Sequence, residues 1–196
     1  MNHIPFGNAY FATSTCGGGP YDSGIRRCWA KMCVGVAAPP AECFGNVSGI
    51  VAQHGPGEYY ANRLEACAWS VDSTSGQGGN WATRYWPFTV CVEKAFDRSM
   101  DSDAVLRVGQ TCGLAHGIGM AKIASCYQAG AAGDAVVRAA AKATFDHAGT
   151  PWVLVNGKQI DPDDVIKEVC AAYRGPQPSG CSTTTATTTA PAKLCE

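Results

Sequence analysis

The sequence has few charged residues and no long apolar run. Charged residues make up 16% of the 196 residues, and the formal net charge is −1. This balance gives no electrostatic reason to expect nucleic acid or an anionic membrane as a partner. No stretch approaches the roughly 18 apolar residues of a membrane-spanning helix. The composition therefore predicts a globular protein with no nucleic-acid partner and no membrane span.

The first residues also lack the features of a secretory leader. Residues 1–6 have neither a basic segment nor an apolar core, both of which a leader requires. The sequence nevertheless contains eleven cysteines, a density typical of oxidising compartments. We therefore expect that the start of the protein is missing from this sequence, internal to it or wrongly assigned, and that the protein is lysosomal or extracellular. An odd number of cysteines leaves at least one thiol unpaired within the chain.

No two cysteines have the Cys-X-X-Cys spacing of a redox dithiol. The closest pair is Cys28 and Cys33, with four residues between them. Arg26, Arg27 and Lys31 lie nearby, and such cations favour a thiolate. In a stretch rich in glycine and proline, however, a structural disulfide is the stronger expectation. We predict no catalytic cysteine within this chain.

Disulfides account for the cysteines better than a metal site does. The first four cysteines are spaced by 12, 5 and 10 residues, without the Cys-X2-Cys knuckle of a zinc site. We therefore predict no metal and no cofactor. The candidates for disulfide formation are Cys16, Cys28, Cys33, Cys43, Cys91, Cys112, Cys126, Cys170, Cys181 and Cys195. Cys181 and Cys195 flank the threonine-rich tail and are expected to close it as a loop.

One run of residues has a recognisable spacing. Its members are Gln53, His54, Gly55, Glu58, Asn62 and Cys67. The run resembles the signature of the gamma-interferon-inducible lysosomal thiol reductase family, which reads Cys-Gln-His-Gly, two residues, Glu-Cys, two residues, Asn, four residues, Cys. Ala52 and Tyr59 stand where the family has the two inner cysteines.

The resemblance implies a thioredoxin-like α/β fold with a helical insertion and without its first βα unit. It places a single domain over residues 1–181, with a Cys/Gly/Pro-rich insertion over 11–45 and the helical insertion over 57–147. Residues 182–196 form a Thr-rich C-terminal tail. In such folds the proline that opens the third strand is cis and lies beside the catalytic cysteines. Thr150 and Pro151 match that position.

Local patterns support part of this arrangement. Asn156-Gly157 predicts a tight hairpin after a short buried strand, and Asp161 followed by Pro162 predicts the start of a helix. A strand is predicted over 47–53, and little regular structure is predicted over 11–45. Helices are predicted over 57–70, 81–97, 103–112, 119–129 and 134–147, and Pro87 predicts a kink or break of the second near Trp86.

Three polar positions have more than one interpretation. His54 is either a proton donor or acceptor near the thiols or a structural histidine that bonds the backbone at a turn, and we favour the second. His116 and His147 are predicted to be ordinary polar positions. Asn46, in Asn46-Val47-Ser48, is predicted to be N-glycosylated on a surface loop.

Two functions remain open. The resemblance implies a thiol-disulfide oxidoreductase that reduces disulfide-containing protein substrates through a Cys-X-X-Cys outside this chain. The alternative is a non-catalytic thioredoxin-like protein that binds peptide or thiol-bearing partners. Thr150-Pro151 would then hold an extended peptide by backbone hydrogen bonds.

Overall fold

The computed structural model describes residues 3–74, 85–144 and 146–181. Its backbone contacts divide the chain into two compact units, Met1–Ala148 and Gly149–Glu196. The thioredoxin-like fold and the single domain over 1–181 stay predictions. No helix within the described ranges has both the length and the apolar character needed to cross a membrane.

The first unit contains two short strands and six helices within its described residues. In chain order these are β1 (Tyr10–Phe11), α1 (Ser23–Cys33), β2 (Ile50–Val51), α2 (Pro56–Thr74), α3 (Trp86–Ala95), α4 (Ser102–Ala115), α5 (Met120–Gln128) and α6 (Gly130–Ala143). Two 3-10 turns, Ala41–Phe44 and Val47–Gly49, precede β2. The predicted strand over 47–53 is therefore reduced to two residues, because the 3-10 turn occupies its first half.

β1 and β2 form an antiparallel pair at the edge of an aromatic core. Tyr10 lies opposite Val51, and Phe11 lies opposite Ile50. Phe11 also stacks on Trp29 of α1, with ring centroids 6.3 Å apart. Packing of this kind adds to the free energy gained from aromatic burial. The other buried members of this core include Phe6, Ala30, Cys33, Cys43, Val47, Ala52, Val137 and Ala141.

The helix α1 corrects the prediction of an irregular segment over 11–45. Asp22 caps its N-terminus by accepting hydrogen bonds from the backbone N–H groups of Gly24 and Ile25. Its buried residues are Arg26, Trp29, Ala30 and Cys33, which is the i, i+3, i+4, i+7 spacing of one helix face. Apart from Gly24 in its first turn, the glycines and prolines of the segment lie before and after this helix.

Helices α2 to α6 enclose a second core in the same unit. α2 is central, since it contacts each of the other four helices. Its buried side chains meet those of the neighbouring helices at Leu64, Cys67, Phe88, Val92, Val105, Leu106, Cys112, Ile123 and Tyr127. Pro87 lies in the first turn of α3, where its missing N–H costs nothing. The part of the predicted helix over 81–84 falls outside the described residues.

Five disulfides cross-link the described part of the chain. They join Cys16 to Cys28, Cys33 to Cys43, Cys67 to Cys126, Cys91 to Cys112, and Cys170 to Cys181. The expected loop between Cys181 and Cys195 is therefore wrong, because Cys170 is the partner of Cys181. Cys195 and the threonine-rich tail over 182–196 lie outside the described residues.

The second unit is a hairpin followed by a helix. Strands β3 (Val153–Val155) and β4 (Lys158–Ile160) pair antiparallel, and Asn156 and Gly157 join them with positive φ values of 51° and 80°, as a tight hairpin requires. A 3-10 turn over Pro162–Asp164 leads into α7 (Val165–Ala172). Asp161 caps the turn through the N–H of Asp163. The Thr150–Pro151 peptide bond is cis, as predicted.

Candidate functional site

The signature residues form the turn between β2 and α2. Gly55 has a φ of +89°, a conformation that glycine adopts without strain. Pro56 is the first residue of α2. The Glu58 carboxylate accepts a hydrogen bond from the backbone N–H of His54 at 2.5 Å and lies 3.2 Å from its Nδ1. Glu58, rather than the imidazole, therefore fixes the backbone of this turn.

Gly57 brings the start of α2 against the loop after α3. Its N–H donates to the carbonyl oxygen of Arg98 at 3.2 Å. A Cβ atom at this position would clash with the carbonyl oxygen of Asp97 and lie 2.9 Å from that of Arg98. These are backbone atoms that cannot rotate away. Glycine is thus required by close approach of two segments.

Gln53 is tied to the interior through a chain of buried polar side chains. The Asn8 Nδ2 donates to Gln53 Oε1 at 2.7 Å. The Oδ1 of Asn8 lies 3.0 Å from His147 Nε2, and Arg26 Nη2 lies 3.0 Å from His147 Nδ1. Arg26 Nη2 also lies 2.9 Å from His147 Nε2. The Asn8 oxygen can only accept, so a hydrogen bond to it requires a proton on Nε2 of His147, and Arg26 then donates to Nδ1.

This network corrects the prediction that His147 is an ordinary polar position. His147 and Arg26 are both buried, and Arg26 Nη1 also donates to the carbonyl oxygen of His147 at 2.7 Å. Burial lowers the pKa of the Arg26 guanidinium. The sequence held one signal of this arrangement, since Arg26 falls on the same helical face as Trp29 and Cys33.

The two remaining signature positions lie further along α2. Cys67 is fully buried and bonded to Cys126 of α5, so it carries no free thiol and acts as a cross-link between two helices. Asn62 is half-buried on the same helix. Neither is placed to exchange electrons with a substrate.

A groove opens beside the signature turn, with a volume of about 580 Å³. Ala52 and Tyr59, which replace the inner cysteines of the signature, both line it. The rings of Tyr59 and Tyr60 lie 5.3 Å apart. The remaining lining residues are Gly19, Pro20, Tyr21, Val47, Ser48, Ile50, Val51, Gly55, Pro56, Tyr60 and Arg63. The positions that hold sulfur in the signature thus face a largely apolar and aromatic space.

Arg63 fixes one wall of this groove. Its Nη1 donates to the Tyr59 hydroxyl at 3.1 Å and to Asp134 Oδ1 at 2.9 Å, and its Nε donates to the carbonyl oxygen of Tyr127 at 3.0 Å. Burial lowers the pKa of Arg63, but the bonds to Tyr59 and Asp134 outweigh burial and raise it. The guanidinium therefore holds Tyr59 in position and ties α2 to α6.

The other predicted site residues lie elsewhere. Asn46 is exposed, and its side chain accepts a hydrogen bond from the N–H of Ser48 at 3.0 Å. Thr150 and Pro151 precede β3 in the second unit. Within the ranges that the structure describes, no three His, Cys, Asp or Glu residues cluster in a way that could hold a metal ion.

The comparisons with known proteins agree with the signature in part. The chain is 29% identical over 143 residues to a curated Arabidopsis thaliana protein named gamma-interferon-responsive lysosomal thiol protein. The match covers 69% of this chain and 53% of the relative, so the chain spans about half the length of the curated relative it matches. No family model matches the chain. No solved structure matches it either.

Proposed function

We propose that this chain is part of a thiol-disulfide oxidoreductase of the lysosomal thiol reductase type, which reduces disulfides in protein substrates. The observation that supports this most is the signature turn. Gln53, His54 and Glu58 keep both the spacing and a fixed geometry at the β2–α2 junction. The similarity to a lysosomal thiol protein over 143 residues points to the same class.

Reduction of a disulfide requires two neighbouring thiols. A thiolate attacks one sulfur of the substrate and releases the other as a thiolate, and the second thiol then resolves the mixed disulfide. The substrate gains two electrons and two protons, and the protein is left with a disulfide that a thiol co-reductant restores. Ten cysteines are already paired among the described residues, and the sequence contains no Cys-X-X-Cys. The proposal therefore assigns the reacting dithiol to a segment outside residues 1–196.

A second function is favoured by the groove. Ala52 and Tyr59 replace sulfur with a methyl group and an aromatic ring on its wall, which suits contact with apolar side chains better than electron transfer. A non-catalytic protein that binds an extended peptide would use this surface. The name of the relative and the five disulfides favour a lysosomal or extracellular location for either function.

One experiment separates the two functions. The transcript is sequenced upstream of Met1, and both the resulting longer protein and the 196-residue chain are assayed for reduction of an insulin-like substrate. We expect turnover only by the longer protein, and loss of that turnover when serine replaces its first dithiol cysteine. A longer protein with no dithiol and no turnover would refute the reductase and leave the peptide-binding function. Turnover by the 196-residue chain would contradict the assignment of the dithiol.

A further inference from the structure

One disulfide of the first unit lies at the surface. Cys16 and Cys28 are bonded to each other, and both are only half-buried. Each of the other three described disulfides of this unit contains at least one buried cysteine, namely Cys33 and Cys43, Cys67, and Cys112. A thiolate opens a disulfide by attacking one of its sulfur atoms, so access to that atom controls the rate. The Cys16–Cys28 bond is therefore the disulfide of this unit that an external thiol reaches most easily.

The charges beside the two sulfurs differ. Lys31 follows Cys28 by one turn of α1, and residues three positions apart are neighbours on a helix surface. The carboxylate of Glu42 accepts hydrogen bonds from the hydroxyl groups of the two residues before Cys16, at 2.5 and 2.7 Å. A nearby cation favours a thiolate, and a carboxylate disfavours one. When the disulfide opens, the leaving thiolate is therefore more stable at Cys28 than at Cys16.

The same disulfide anchors residues 17–21, which we call the glycine segment. Its first three residues are all glycine, and Gly19, Pro20 and Tyr21 form one wall of the groove. Glycine loses more conformational freedom on ordering than any other residue, so such a segment keeps its position only when both ends are fixed. The disulfide ties the first end to α1, and Asp22, the N-cap of α1, fixes the other.

We propose that Cys16–Cys28 is a thiol-exchange site, at which an external dithiol opens the disulfide and releases the glycine segment from α1. A thiolate of the dithiol bonds to the Cys16 sulfur, the Cys16–Cys28 bond breaks, and its electron pair leaves on Cys28. The second thiolate of the reagent then closes on the first and displaces Cys16. The chain gains two electrons and two protons, and the dithiol becomes a disulfide.

Opening this site alters the groove and leaves the rest of the unit cross-linked. The three disulfides with buried cysteines stay closed, so both cores keep their covalent bonds. The groove wall then exists in two states, which the thiols around the protein select. The exchange is stoichiometric and gives the 196-residue chain no turnover. It does not depend on where the reacting dithiol lies, so it stands or fails separately from the proposed reductase function.

Mild reduction of the folded wild-type chain with dithiothreitol tests the exchange site. Free thiols are trapped with iodoacetamide at intervals, and the labelled cysteines are identified by mass spectrometry. The Cys33–Cys43 disulfide is the internal control, because the two bonds close similar separations of 12 and 10 residues but differ in burial. A buried sulfur reacts only after local opening, so we expect Cys16 and Cys28 to be labelled about tenfold faster than Cys33 and Cys43. Equal rates, or faster labelling of the control pair, would overturn the proposal.

Amide hydrogen exchange measures the release of the glycine segment. Two hydrogen bonds border it, from the N–H of Gly17 to the Thr13 carbonyl oxygen at 2.9 Å and from the N–H of Asp22 to the Tyr10 hydroxyl at 3.3 Å. The double variant that carries serine at both cysteines of the exchange site stands for the opened state. We expect the Gly17 and Asp22 amides of this variant to exchange about tenfold faster than those of the wild type.

The double variant Cys170→Ser, Cys181→Ser is the matched control. Its disulfide is also half-buried and closes a separation of 11 residues, but it belongs to the second unit. We expect the Gly17 and Asp22 amides of this control to exchange at the wild-type rate. Unchanged exchange in the first double variant, or equal acceleration in both, would refute the release. The labelling experiment uses the wild-type chain, so it decides the exchange site even if a double variant does not fold.

Discussion

The sharpest stability prediction concerns Gly57→Ala at the signature turn. The added methyl group would contact the backbone of Asp97 and Arg98, at 2.9 Å from the Arg98 carbonyl oxygen. Contacts this short force the α2 terminus and the loop after α3 apart. Overpacking of this kind costs about 1–3 kcal/mol. Separation also weakens the hydrogen bond from Gly57 to Arg98, which contributes about 1 kcal/mol.

Helix propensity acts in the opposite direction. Alanine is favoured over glycine in a helix by up to about 1 kcal/mol. The net expectation for Gly57→Ala is a loss of about 2 kcal/mol in the free energy of unfolding, or about 4–8 °C in melting temperature. Urea unfolding with intact disulfides, followed by near-ultraviolet circular dichroism, measures the difference.

Gly130→Ala is the matched control. Gly130 is the first residue of α6, and no atom lies within 4 Å of the position that its Cβ would occupy. The same substitution there is expected to be neutral or to stabilise the chain by at most about 1 kcal/mol. If both variants unfold at the same urea concentration as each other, the close approach at Gly57 does not constrain the turn and the reasoning fails.

Two further predictions concern covalent features. When the chain enters the secretory route, the exposed side chain of Asn46 is expected to carry a glycan. Treatment with a glycosidase should then increase the gel mobility of the wild type but not that of Asn46→Gln. Equal mobility of the wild type before and after treatment would contradict this. The Cys67–Cys126 disulfide closes a loop with a sequence separation of 59, and its removal by double alanine substitution is expected to lower the free energy of unfolding by about 4 kcal/mol. The Cys33–Cys43 disulfide closes a separation of only 10, and its removal is expected to cost about 3 kcal/mol. Urea unfolding of both variants measures the order, and the reverse order would contradict the loop-length argument.

Local chemistry was sufficient to predict the second unit. Asn156-Gly157 specifies a two-residue hairpin because both positions adopt positive φ values. Asp161 and Pro162 specify a helical start because a carboxylate accepts from the free N–H of the first turn. The hairpin and the helical start are both specified by residues adjacent in sequence, and the structure has both elements at the predicted positions.

The first unit was predicted less completely because its arrangement depends on distant residues. α1 was missed since the glycines and prolines around it outweighed the helical spacing of Arg26, Trp29 and Cys33. Disulfide partners could not be derived because spacing alone does not define them. Cys67 and Cys126, for example, meet only when α2 packs on α5.

The candidate site shows the same limit. The signature spacing identified Gln53 and Glu58. The bond from Asn8 to Gln53 and the contact of Asn8 with His147, however, join residues 45 and 139 positions apart. Glu65, buried on α2, was also missed, although it shares a helical face with Leu64. A charged residue within an apolar stripe is the sequence signal that identifies it.

Each of the five described disulfides begins and ends within one compact unit. The peptide bond between Ala148 and Gly149 is therefore bridged by none of them. A protease that cut there would leave two fragments with no described disulfide between them. Each fragment would keep its own internal covalent bonds, so oxidative folding of one requires no sulfur from the other.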